Sequence, residues 1–100
     1  MNRDIEIIFK KFQFKLKLTS ETIQYAKKLY EELMDNNQFK YESPYLIVAI
    51  CIFTVSRIEK NPKTLKEISD VCHIKEDTLK EGYSRVFEEI EASLKKSLND

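Results

Sequence analysis

The chain has 100 residues, which suits one domain and is too short for two. At 42% hydrophobic and 34% charged, it has the composition of a folded soluble chain rather than a disordered one. Its 17 basic and 17 acidic residues cancel, which excludes a global pull towards nucleic acid. One Gly and two Pro exclude the frequent turns of a β-sandwich or barrel.

The first predicted helix runs roughly from Arg3 to Leu16. Ile5, Ile8, Phe9, Phe12 and Leu16 recur at the i, i+3, i+4, i+7 spacing of a buried face. Lys10, Lys11, Lys15 and Lys17 lie largely off it, either as a solvated surface or as a strip facing phosphate or a partner. A second helix starts after Thr19-Ser20, either of which can cap it. Its expected stripe is Ala26, Leu29, Tyr30, Leu33 and Met34, and it ends near the polar turn cluster of Asp35, Asn36, Asn37 and Gln38.

The third helix has a sharp start, with Ser43 as cap and Pro44 at the first helical position. The run YLIVAICIFTV that follows is apolar on every side, which predicts a buried central rod. Ala49 and Cys51 are small enough to let neighbouring helices approach. At residues 45–55 the run is too short to span a bilayer, which takes about 20 residues. Arg57, Glu59 and Lys60 mark its exit, and Asn61-Pro62 breaks the chain.

The fourth helix opens at Thr64, where Thr64-x-x-Glu67 forms a capping box. Leu65, Ile68, Val71 and Cys72 are its apolar face, and Cys72-His73-Ile74-Lys75 is the turn. The fifth helix begins near Glu76 and runs past Leu94, with Leu79, Tyr83, Val86, Phe87, Ile90 and Leu94 as its stripe. Glu76 and Asp77 suit the positive end of its dipole. The two last helices have the outline of a helix-turn-helix. Up to Lys63 there are 11 basic and 8 acidic residues; from Thr64 on there are 6 and 9, so this outline sits in the acidic end.

Groups for chemistry are sparse. His73 is the only histidine, and no constellation for serine, cysteine or histidine catalysis is recognisable. No glycine-rich phosphate loop exists. The carboxylates are scattered over exposed helix faces and read as solvated surface. Cys51 and Cys72 sit in apolar runs without a CxxC or Cys/His cluster, so they read as buried free thiols rather than zinc ligands. No signal-peptide pattern is visible. The expectation is a protein that is not an enzyme, with no catalytic residues, metal, cofactor, small-molecule substrate or membrane contact.

The segment SPYLIVAICIFTVSR, followed by PKTLKEISDVCHIKEDTLKEGYSRVFEEI, resembles a cyclin-like repeat of the transcription factor IIB family. The matching pieces are Ser43-Pro44, the apolar helix from Leu46 to Ser56, Lys63-Thr64, Lys66-Glu67-Ile68, the hydrophobic turn from Val71 to Ile74, and Thr78-Leu79-Lys80 with Tyr83. Leu18-Thr19 and Ala26 also fit. The resemblance covers about 90 residues, and its weight lies in the ordered set rather than in any one piece. It implies an all-α, five-helix cyclin-like fold with a buried third helix and a helix-turn-helix made by the last two. Residues 1–100 would form one such repeat. The family carries two in tandem: the segment from Arg57 to Thr64 resembles the first in its length and its Pro, while Ser43-Pro44, Thr78-Leu79-Lys80 with Tyr83, and the end soon after the fifth helix favour the second.

The resemblance also implies function. Family members bridge the TATA-binding protein on promoter DNA to RNA polymerase, and the second repeat sets the start of its fifth helix in the major groove. The positions expected to approach DNA here are Thr64, Lys66, Lys75, Thr78 and Lys80, with Leu79, Tyr83 and Phe87 in the core. Such a factor would be nuclear, or cytoplasmic in an archaeon or virus. The other reading is a cyclin-like protein-interaction module that reads no DNA. Four positions depart from the family pattern. His73 stands where glycine is common, Asp77 where the base-reading repeat has an apolar residue, Lys80 where arginine is common, and Ser84 where a base is expected.

Overall fold

A computed structural model resolves the pattern into five helices: α1 (Arg3–Leu16), α2 (Ser20–Met34), α3 (Pro44–Ile58), α4 (Leu65–Cys72) and α5 (Glu76–Asn99). It describes residues 1–35 and 39–99, with side chains of α5 described through Glu89 and at Glu91. No strand occurs among the described residues. The expected turn residues Asn36, Asn37 and Gln38, and the expected core residues Ile90 and Leu94, lie outside this description.

Three helix starts are fixed by a side chain that satisfies an otherwise orphaned backbone N–H. Asn2 Oδ1 accepts from the Asp4 N–H at 2.6 Å, Thr19 Oγ1 from Thr22 at 3.1 Å, and Thr64 Oγ1 from Glu67 at 3.1 Å. α3 differs. Ser43 makes no side-chain cap bond, and Pro44 starts the helix with no N–H to satisfy and a fixed φ.

Every residue from Leu46 to Ser56 is buried, so α3 is the rod inside the fold, and α1, α2, α4 and α5 all pack on it. Ile5, Ile8, Phe9, Phe12 and Leu16 present the buried face of α1, as their spacing predicts. In α2 the buried face is Thr22, Ile23, Ala26, Tyr30 and Leu33, while Leu29 and Met34 only half-enter it. α5 crosses α3 at Gly82, where a Cβ would lie 3.0 Å from Ile50 Cδ1 and 3.2 Å from Leu46 Cδ1. The one glycine of the chain is therefore a spacer between two helices.

Phe87 corrects an expectation. It is 43% exposed rather than core. Leu79 and Val86 point into the core and Tyr83 stacks edge-on against Phe53 at 5.1 Å. Phe87 lies at the flank of that face and covers Tyr83 from outside, ring centroids 5.6 Å apart. Both cysteines are free: Cys51 is fully buried and Cys72 half-buried. Burial pushes both thiols up from their ordinary range, so neither is a ready thiolate.

Candidate nucleic-acid interface

α4 and α5 are joined by only His73, Ile74 and Lys75. The turn is locked from both sides. His73 takes a left-handed conformation (φ 59°, ψ 27°) that closes α4, and its N–H donates to Ser69 O at 2.7 Å. The Ser69 hydroxyl then donates to Ile74 O at 2.6 Å. Lys75 O receives the Leu79 N–H at 3.0 Å, which starts α5. The histidine stands where the backbone wants glycine, and that conformation costs more for a residue with a Cβ. Ile68 and Val71 of α4, with Leu79 and Val86 of α5, bury the inner side of the pair.

All five expected DNA-facing residues, Thr64, Lys66, Lys75, Thr78 and Lys80, are exposed. They form two groups rather than one. Lys75, Thr78 and Lys80 gather around the start of α5. Thr64 and Lys66 stand at the far end of α4, about 10 Å away along an eight-residue helix. Thr64 is also fully engaged. Its hydroxyl accepts from the Glu67 N–H and donates to Glu67 Oε1 at 3.2 Å, while that oxygen also takes the Thr64 N–H at 3.0 Å. These bonds hold the Glu67 carboxyl below its usual pKa, the Thr64 backbone N–H contributing most. Among the described residues, Lys66, Lys75, Thr78 and Lys80 make no side-chain hydrogen bond or ion pair.

Helical phase sets which side chains of α5 lead. At about 100° per residue, Thr78 and Lys80 fall on opposite flanks of buried Leu79. The ridge pointing straight out is Asp77, Glu81, Ser84 and Glu88, all exposed. Three of those four are carboxylates. Of the named positions, Lys75 and Lys80 can reach a phosphate beside this ridge, and the ridge itself repels one. In the sequence Asp77 stands out alone, whereas on the helix Glu81 and Glu88 continue its line. Their i, i+4, i+11 spacing holds that information once the inner face is fixed.

Beside α4 lies a shallow cleft lined by Lys11, Lys15 and Leu16 of α1 and by Glu67, Asp70, Val71 and His73. Its charges are mixed, so it suits neither an anion nor a cation. Among the described residues no group of three His, Cys, Asp or Glu side chains could hold a metal ion, and no helix is long and apolar enough to cross a membrane.

A buried central helix, four helices around it, and a closing pair joined by three residues form a specific combination, and comparison with known proteins assigns it. The family model described as transcription factor TFIIB repeat matches residues 6–89. The chain belongs to the TFIIB repeat family. Its fold is the all-α, five-helix cyclin-like fold of that family, as the resemblance implies. The chain is 27% identical over 81 residues to each of two proteins named transcription initiation factor IIB, from Pyrococcus horikoshii and Pyrococcus abyssi. The match covers 81% of this chain and 27% of each relative, so the chain spans about a quarter of their length. No solved structure matches the chain.

Proposed function

We propose that the chain acts in transcription initiation as one TFIIB-type repeat, covering residues 1–100 and standing for the second of the family's tandem pair. It would hold promoter DNA with the TATA-binding protein and contribute to the bridge to RNA polymerase, without chemistry of its own. The observation that carries this reading is the family match over residues 6–89. The α4–α5 pair would serve as the helix-turn-helix. Lys75 and Lys80 would reach phosphates, Lys66 would add a further contact from the far end of α4, and Thr78 would offer a hydroxyl to the backbone or a groove edge. Thr64 would act through the helix start rather than on DNA. The compartment follows the host: the nucleus in a eukaryote, the cytoplasm in an archaeon or virus.

The acidic ridge of α5 favours a second reading, a cyclin-like protein-interaction module that makes no DNA contact. An electrophoretic mobility shift with promoter DNA and TATA-binding protein separates the two. The first reading expects a ternary complex at low salt that Lys80→Glu weakens several-fold, with a shallower dependence on salt. Absence of the complex, or a Lys80→Glu variant indistinguishable from wild type, leaves the second.

A further inference from the structure

We propose that the outer face of α1 is a binding site for single-stranded nucleic acid, with Lys10 and Lys17 on phosphates and Phe14 stacked on an unpaired base. Residues 7–20 contain four lysines and no acidic residue, a local excess that the zero net charge of the chain hides. Lys10 and Phe14 follow one another at i and i+4 on one side of α1, Lys17 is the left-handed cap (φ 53°) that ends the helix just beyond them, and all three are exposed. Phe14 is 79% exposed, although Phe9 and Phe12 of the same helix are fully buried. Along the axis the backbone positions of Lys10 and of the Lys17 cap are about 10 Å apart, with Phe14 between them in the chain.

The neighbouring cations are engaged elsewhere. Lys11 lies over the Tyr45 ring at 5.5 Å, Lys27 bonds Glu6 at 2.6 Å, and Lys15 shares its cleft with Glu67 and Asp70. Among the described residues Lys10 and Lys17 make no ion pair, although Lys10, one turn beyond Glu6, adds to the lysine charge that lowers the Glu6 pKa, behind the Lys27 bond. Phosphate needs the charges, and the ring adds what phosphate does not need. Single strands expose base faces that stack on aromatic side chains regardless of sequence, whereas a duplex hides them. A bare basic face would bind a duplex at least as well.

The proposal goes beyond the promoter reading and needs no TATA-binding protein, so either can fail while the other stands. The test is fluorescence anisotropy of the whole chain with a labelled oligothymidylate and with a labelled duplex of equal length. The oligothymidylate is expected to bind tighter than the duplex at low salt. Lys10→Glu with Lys17→Glu weakens that binding strongly, and the loss of two phosphate contacts flattens the salt slope by about 1.4. Phe14→Ala weakens the single strand roughly tenfold and leaves the duplex unchanged, and Phe14→Trp restores binding. Ile7→Ala, on the same side of α1 and 54% exposed, changes nothing. Circular dichroism of each variant should match wild type, because these side chains are on the surface. Four results overturn the proposal: no binding at low salt, a preference for duplex, less than a twofold effect of Phe14→Ala, or an equal loss from Ile7→Ala, which would mark an apolar docking face instead.

Discussion

At Thr64 one hydroxyl is claimed twice, by the start of α4 and by the expected contact with DNA. The helix has it. The oxygen accepts from the Glu67 N–H and its proton goes to Glu67 Oε1. Loss of such a cap costs about 1 kcal/mol. Thr64→Ala should therefore lower the midpoint of urea unfolding, while Thr64→Ser, which keeps both bonds, should stay near wild type. If the hydroxyl mattered through DNA instead, Thr64→Ala would weaken binding at unchanged stability. The carboxylate half of the box has a pH signature. Its folded pKa lies below the unfolded one, so its contribution is present above about pH 4.3 and is lost as pH falls through the lowered value. Glu67→Gln should flatten stability against pH in that acid range and leave the slope near neutrality alone, as urea melts at a series of pH values can check.

The helices as elements were legible because each follows from short-range chemistry: capping residues, Pro44, and apolar spacing. The buried rod was legible because a helix apolar on every side has no other place to go. What the sequence hid was which neighbour each flank meets. Phe87 belongs to the stripe of α5 by spacing, yet it sits at the flank of the face set by Leu79, Tyr83 and Val86, so its ring stays at the surface. The lines of Asp77, Glu81 and Glu88 on α5, and of Lys10 and Phe14 on α1, were likewise present in the sequence. They become faces only when the inner side is known. Ser56 shows the same limit. As a small polar residue near the end of an apolar helix it looks incidental, but it is buried and its hydroxyl is a joint. Its Oγ donates to Phe53 O at 3.0 Å and accepts from the Lys63 N–H at 3.1 Å. The Asn61 N–H reaches Ser56 O at 3.1 Å. One residue thus ties the end of α3 to the loop that presents Thr64. Ser56→Ala leaves the Lys63 N–H without its partner, for a loss of about 1–3 kcal/mol. Hydrogen exchange should show protection falling first at residues 61–67, and a loss spread evenly over all five helices would argue against this role.

Over the whole molecule, zero net charge conceals a division. The chain up to Lys63 carries three more basic than acidic residues, and the rest three more acidic than basic. The acidic share includes the outward ridge of the very helix expected to meet DNA. Asp77 is under two opposed demands. In the first turn of α5 it is favoured by the helix dipole, by about 0.3–1 kcal/mol, but beside a phosphate the same charge is a penalty. Neutralising the ridge tells which demand governs. If α5 meets DNA, Asp77→Asn with Glu81→Gln should tighten the complex with promoter DNA and TATA-binding protein. At about 0.7 kcal/mol per exposed charge, the gain is about tenfold at low salt, shrinking as salt screens it. Thermal stability should fall slightly in the same variant, because the dipole loses its partner. Binding titrations at two salt concentrations, set beside a melting curve, measure both effects in one protein. Lower stability with unchanged affinity would mean that the ridge faces away from DNA. In that case the carboxylates serve the helix, or a protein partner, and the lysines beside them do not read the promoter.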